Sequence, residues 1–199
     1  MRSSPRLQVI RGISSRVVYL GFDLHRVVTP FATAADGSPL ARNPFKDKRV
    51  RQALNLSINR QALVDRVMEG DAVAASQFLP KGQPGTSDRL DVPAYDPARA
   101  RALLAEAGYP QGFRLTLHGP NDRYINDAKI VQAVAQMFSR IGIETRAEVM
   151  PWTTYAPRDP RGEFRMFLSA WGVNTGETPN PLKPIVATYD RNAGMGASN

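Results

Sequence analysis

Five segments of the chain carry the β-branched, aromatic or alternating apolar residues that are typical of β-strands. They are residues 7–10, 16–22, 113–118, 143–149 and 164–171. The first two are separated by Gly12, and we predict that they pair with each other. Residues 164–171 are nearly apolar on both faces, which predicts a strand inside the sheet rather than at its edge.

Four other segments place apolar residues at every third or fourth position, the spacing of an amphipathic helix. The first follows Asp47, and a second, shorter one follows Asn59; both side chains are good N-caps. Asp96 and Pro97 predict the start of the third helix, and the fourth spans about residues 126–141. Glycines after three of these segments predict their ends: Gly70, Gly108 and Gly142.

The order strand, helix, strand over residues 113–149 predicts a βαβ unit, whose two strands run parallel. The fold class is therefore α/β. We expect residues 1–46 to form strands and a connection, residues 47–175 to form the α/β lobe, and residues 176–199 to form an irregular tail.

The loops after three predicted strands carry aromatic residues beside small polar ones. In open α/β sheets, ligands bind beyond the carboxyl ends of the strands, where such loops converge. We therefore expect a binding site that uses both tryptophans, although large aromatic side chains also fill cores. The candidate residues are Tyr124, Trp152, Tyr155, Trp171, Asn174 and Thr175.

Little in the sequence indicates catalysis or a metal. The chain has no cysteine, and its only histidines, His25 and His118, lack the spacing of a metal-binding pair. No nucleophile-elbow, phosphate-loop or dinucleotide motif occurs. We therefore predict no catalytic residue, no metal ligand and no cofactor. No apolar run is long enough to span a bilayer.

The net charge of +8 lies entirely in the first third of the chain. Residues 1–66 hold 12 Lys or Arg against 4 Asp or Glu, and the remainder holds 14 of each. A solvated face, a contact surface for another domain or protein, and nucleic-acid binding all remain open as explanations. The cations are scattered among apolar residues, which disfavours the last.

Several segments resemble family 5 extracellular solute-binding proteins, the dipeptide, oligopeptide and nickel-type receptors of ABC importers. Residues 44–54 read PFKDKRVRQAL and are followed by SINR at 57–60, and residues 95–108 read YDPARARALLAEAG. The resemblance continues through Gly142–Ile143 and through residues 164–172. It covers nearly the whole chain, in order.

The resemblance implies a lobe of the type II periplasmic binding-protein kind, with a mixed, mostly parallel sheet and flanking helices. It implies a periplasmic protein that binds a peptide or similar small solute without chemistry and docks on the transmembrane permease. Trp171, Gly172 and Asn174 would contact the solute, flanked by Trp152 and Tyr155. Asn174 stands where oligopeptide-type members carry an acid, which argues against a peptide ammonium as the recognised group.

Because family members are typically much longer, the chain is expected to be a second-lobe fragment whose first lobe is missing. Two other classes stay open at this point. One is an α/β enzyme of unknown reaction, and the other is a weak nucleic-acid binder that uses the basic first third. We expect no nucleic-acid partner.

Overall fold

A five-stranded mixed sheet lies at the centre of the part of the chain that the structure describes. The structure is a computed structural model and describes residue 10 and residues 12–158, 162–177, 179–190 and 192–196. The strands are β1 (Arg16–Phe22), β2 (Ala32–Ala34), β3 (Phe113–Pro120), β4 (Ile143–Met150) and β5 (Met166–Gly172).

Strand β3 organises the sheet because it has neighbours on both sides. On one side it pairs with β4 in parallel along its whole length, from Phe113 opposite Ile143 to Pro120 opposite Met150. On the other side it pairs with the short antiparallel β2 at its start and with β5, in parallel, where His118 lies opposite Phe167. Strand β5 then pairs with the antiparallel β1. The sheet is thus mixed, as expected, and β5 is an interior strand.

Side-chain caps explain where the first three helices begin. The helices are α1 (Lys48–Ser57), α2 (Arg60–Ala62), α3 (Pro97–Glu106), α4 (Asp127–Ser139), α5 (Trp152–Tyr155) and α6 (Pro179–Ile185). Asp47, Asn59 and Asp96 each accept a backbone N–H of the helix that follows, so all three predicted N-caps are confirmed. A hydrogen bond from the Arg49 side chain lowers the pKa of Asp47 to about 2.

The main core lies between one face of the sheet and helices α1, α3 and α4. It includes Phe113, Leu115 and Leu117 of β3 and Met166 and Leu168 of β5, all of them buried. Helix α4 packs on β3 and β4, and α1 packs against α3. The predicted strand–helix–strand unit is confirmed, with parallel strands and a connecting helix.

Several features of the structure were not predicted from the sequence. Strand β1 pairs with β5. The predicted pairing of residues 7–10 with residues 16–22 stays a prediction, because residues 7–9 lie outside the described part of the chain. The second helix continues as a π-helical turn over Leu63–Val67. Within the expected tail, residues 179–185 form α6. A three-residue strand such as β2 shows no readable periodicity, so it was not predicted.

Candidate functional site

The three loops that the sequence singles out all leave the same edge of the sheet. Strands β3 and β4 run parallel and end opposite each other, at Pro120 and Met150. Strand β5 runs parallel to β3, so its end at Gly172 points the same way. The topology therefore gathers the loops that carry the candidate residues, as the α/β pattern predicts.

Two hydrogen bonds tie the loop after β3 to the start of α5. The Asn121 backbone N–H donates to the Met150 carbonyl oxygen at 3.0 Å. The Trp152 backbone N–H donates to Asp122 Oδ1 at 2.6 Å. Because an N-terminal N–H of a short helix has no partner within the helix, the Asp122 carboxylate satisfies it and fixes where α5 begins.

Asp127 holds the same loop from the other end. Its carboxylate is buried, and Oδ2 accepts the backbone N–H groups of Arg123 and Tyr124, each at 2.9 Å. Oδ1 accepts the N–H of Ala128 at 2.8 Å. A carboxylate in the first turn of α4 also interacts favourably with the helix dipole. Asp127 therefore fixes the backbone that presents Arg123 and Tyr124.

Four aromatic side chains form a continuous stack, here named the aromatic ladder: Tyr124, Trp152, Tyr155 and Phe164. The ring centroids of Tyr124 and Trp152 are 6.1 Å apart in an edge-to-face arrangement. Trp152 stacks on Tyr155 at 5.9 Å, and Tyr155 stacks on Phe164 at 4.5 Å. The ladder runs from the half-buried Tyr124 and Trp152 to the buried Phe164.

Tyr155 supports the ladder from the interior. Its side chain is only 1% exposed, and its hydroxyl donates to the Leu168 carbonyl oxygen at 2.9 Å. It packs with Met150, Phe164 and Phe167 in a second small core on the sheet face opposite the main one. Of the three predicted aromatic residues in this group, Tyr124 and Trp152 are therefore the ones with accessible surface.

Arg123 is a further candidate residue, which the sequence did not single out. Its exposed guanidinium carbon lies 4.9 Å from the centroid of the Trp152 ring and 6.0 Å from that of Tyr124. An arginine held over aromatic faces keeps its charge and its fork of N–H donors. The chain has 26 Lys or Arg residues, and nothing in the sequence around Arg123 sets it apart from the others. Its contact with Trp152 in the folded chain is what makes it a candidate.

The remaining candidates form a second group, at the end of β5. Trp171 lies opposite Val17 of β1, and its indole N–H donates to Asn180 Oδ1 at 2.7 Å. Asn174 and Thr175 are exposed, and Gly172 is half-buried. The bond to Asn180 attaches helix α6 to this end of β5, a contact that the sequence did not predict.

Two surface depressions lie along α4, away from the strand ends. The first has a volume of about 460 Å³ and is lined by Gln132, Ser139 and Thr145, among others. The second has a volume of about 300 Å³, between the π-helical turn and α4. Neither includes a predicted site residue.

Three arginines of the basic first third have a structural role, because they donate to carbonyl groups at or near helix ends. Arg49 donates to the Glu106 carbonyl oxygen at 2.6 Å and Arg42 to that of Ala107 at 3.2 Å, both at the end of α3. Arg60 donates to the Asn55 carbonyl oxygen near the end of α1 at 3.2 Å. Cations at helix C-termini satisfy free carbonyls and complement the dipole.

The described residues contain no group of three or more His, Asp or Glu side chains placed to hold a metal ion. Among the same residues, none of the helices has the length and apolar character needed to cross a membrane.

The chain belongs to the bacterial extracellular solute-binding proteins of family 5. The sequence profile of this family, described as its middle region, matches residues 1–193. Haem-binding protein A of Haemophilus influenzae is 26% identical over 196 residues, which cover 94% of this chain and 32% of that protein. The glutathione-binding protein GsiB of Salmonella choleraesuis is 36% identical over 156 residues, which cover 76% of this chain and 30% of that protein.

Solved structures show the same fold. A dipeptide-binding protein from a Pseudoalteromonas species, in complex with Met-Leu, superposes with a TM-score of 0.78 at 22% identity and covers 100% of this chain. The murein tripeptide-binding protein MppA of Escherichia coli gives a TM-score of 0.67 at 23% identity and covers 94%. The chain spans 36% and 34% of those two structures, and thus about a third of the relatives that it matches.

Proposed function

We propose that this chain forms one wall of the solute-binding cleft in an ABC-importer receptor and binds its solute without chemical change. The observation that carries the proposal is the aromatic ladder at the carboxyl edge of the sheet, with the Arg123 guanidinium over its outer rings. Family membership and the position of these residues at the strand ends support it.

The chemistry of this edge favours a solute that carries a carboxylate beside an apolar or aromatic part. Arg123 offers a planar fork of donors, which suits a carboxylate, and Trp152 offers a flat apolar surface next to it. Asn174 offers an amide without charge, so it gives an ammonium group a weaker partner than an acid would. We therefore propose an anionic small solute, of which a peptide bound by its carboxyl end is one example.

The remaining features of the proposal come from the family. Relatives bind haem, glutathione and peptides, according to their names. We propose that this chain acts in the periplasm, that another lobe closes over the wall, and that the closed receptor docks on the transmembrane permease. The site residues that we propose at the end of β5 are Trp171, Gly172, Asn174 and Thr175.

Calorimetric titration of the chain with Met-Leu, glutathione and haemin tests the proposal. We expect at least one probe to bind and to be recovered unchanged. The affinity should be low, because one wall covers only part of a ligand's surface. Arg123→Gln should weaken the binding about tenfold or more, which corresponds to roughly 1.4 kcal/mol.

Arg89→Gln is the matched control, since Arg89 is exposed in the loop between α2 and α3 and is not one of the proposed site residues. Binding that is equal in Arg123→Gln and the parent chain would place the site elsewhere. Failure of all three probes to bind would overturn the proposed solute class, and a chemically altered probe would favour the enzyme alternative.

A further inference from the structure

His118 is a buried ionisable side chain that the proposed site does not use. It is 0% exposed, and neither Nδ1 nor Nε2 has a hydrogen-bond partner. Its ring lies between two phenylalanines, with centroids 4.8 Å from Phe31 and 4.9 Å from Phe164. A neutral imidazole tolerates this environment, whereas burial away from water penalises the charged imidazolium.

Charged groups approach His118 from β4 and from the segment after α5. On β4, Glu148 Oε1 lies 3.9 Å from His118 Nε2, and Arg146 is on the same strand. After α5, Arg158 lies near the ring and is paired with Glu163 at 2.8 Å. On the β5 side, the Met166 backbone favours the protonated ring, and the neighbouring Arg165 is paired with Asp23 at 3.0 Å.

The balance of these effects keeps the ring neutral. Burial is the largest influence and lowers the pKa of His118 below its usual 6.5, while attraction to Glu148 opposes burial only in part. The flanking aromatic rings also attract a cation, but they supply no hydrogen-bond acceptor to replace lost water. As the pH falls below about 6.5, the unfolded chain takes up a proton that the folded chain resists, so the folded arrangement loses stability.

A short chain of ring contacts connects His118 to the outer face of the aromatic ladder. His118 contacts Phe164, Phe164 stacks on Tyr155 at 4.5 Å, and Tyr155 stacks on Trp152 at 5.9 Å. Closely packed rings transmit a displacement, because no free space is left to absorb it. A ring that must leave its place between Phe31 and Phe164 therefore disturbs the support of Trp152.

We propose that His118 makes the aromatic ladder acid-labile. Protonation of His118 separates its ring from Phe31 and Phe164 and loosens the support of Trp152. Solute binding therefore weakens at acidic pH. The effect on solute binding rests on the proposed function, whereas the loosening of the ladder does not.

The two histidines of the chain allow a matched experiment. A Trp171→Phe background leaves Trp152 as the sole tryptophan, whose emission and quenching by acrylamide are followed from pH 7.5 to pH 4.5. We expect a red shift and at least a twofold rise in the quenching constant, with a midpoint below pH 6.5. His118→Phe, which keeps an aromatic ring but cannot be protonated, should abolish the transition. His25→Gln removes the exposed histidine and should leave it intact.

A second measurement covers the case in which His118→Phe does not fold. In the His25→Gln variant, the single imidazole titrated by NMR belongs to His118, and its midpoint should coincide with the fluorescence transition. Absence of a transition down to pH 4.5, or its persistence in folded His118→Phe, overturns the proposal. The chain could show the expected fluorescence transition and yet bind none of Met-Leu, glutathione and haemin. That result would support the acid-labile ladder and contradict the proposed function.

Discussion

A single buried carboxylate shapes the loop that presents the outer part of the candidate site. Asp127 accepts three backbone N–H groups, two of them from Arg123 and Tyr124. Side chains on a loop are well placed for binding only when the loop backbone is fixed, and Asp127 provides that constraint. The positions of Arg123 and Tyr124 therefore depend on a residue that has no surface to offer a ligand.

Asp127→Ala should lower the free energy of unfolding by about 1–3 kcal/mol, because it leaves three part-buried N–H groups without their acceptor. Urea unfolding measures this loss, and the same variant should bind solute more weakly than the parent chain. Asp88→Ala is the control, since the Asp88 side chain is 85% exposed and contributes little to stability. Equal midpoints for the two variants would contradict the role given to Asp127.

The sequence pointed to the aromatic residues of the candidate site more readily than to the charged ones. Trp152 and Tyr124 stand in loops that follow predicted strands, so both the residue type and its place in the pattern pointed to them. Arg123 and Asp122 became candidates only through contacts with residue 152, about thirty positions away. Such contacts depend on the parallel register of β3 and β4, which the sequence predicts in kind but not in detail.

At the scale of elements, a glycine allows β1 and β5 to pack as they do. Gly21 lies opposite Phe167 in the antiparallel pair, and a Cβ atom at Gly21 would come 2.3 Å from the Phe167 ring. The ring is buried in the second core with Tyr155 and Phe164. The absence of a side chain at residue 21 therefore makes room for part of the support of the aromatic ladder.

Gly21→Ala should destabilise the protein by about 1–3 kcal/mol, through steric overlap in a packed core. In a Phe167→Leu background the penalty should shrink, because the leucine lacks the ring atoms that the new methyl group meets. Thermal unfolding of the four proteins measures this coupling, with Gly12→Ala as a control at a position that has no atoms within 4 Å. Strictly additive losses would show that residue 21 does not act through Phe167.

Helix starts were easier to predict than strand partners. A capping side chain lies directly before the helix that it begins, because it acts on its immediate neighbours in the chain. The three caps predicted in this way are Asp47, Asn59 and Asp96. The partner of β1 is about 150 residues away, and no local pattern specifies it. The π-helical turn over residues 63–67 could not be predicted either, because the spacing of its apolar residues matches that of an ordinary α-helix.

At the scale of the whole molecule, part of the high net charge is used in contacts within the described residues. Arg42, Arg49 and Arg60 of the basic first third donate to carbonyl groups at helix ends. Arg26 is paired with Asp23. A nucleic-acid interface needs cations that are free to meet phosphates along a continuous face.

We therefore expect no stable complex with DNA or RNA at physiological ionic strength. Gel-shift titrations at low and physiological salt measure this, and any weak association at low salt should disappear as salt is added. A complex that survives physiological salt would contradict the expectation and return the basic first third to consideration as a binding surface.

The way in which β5 joins the sheet has a consequence for how the two groups of site residues move. Strand β5 pairs with β3 at one position, His118 with Phe167, but with β1 along seven. The second half of β5, which ends in Trp171 and Gly172, is therefore paired only with β1 and forms a two-stranded ribbon with it. Tyr124 and Trp152 instead follow β3 and β4, which pair with each other. A movement of that ribbon relative to the β3–β4 pair would change the gap between the two tryptophans, and the backbone pairing of β3 with β5 opposes it at one position only.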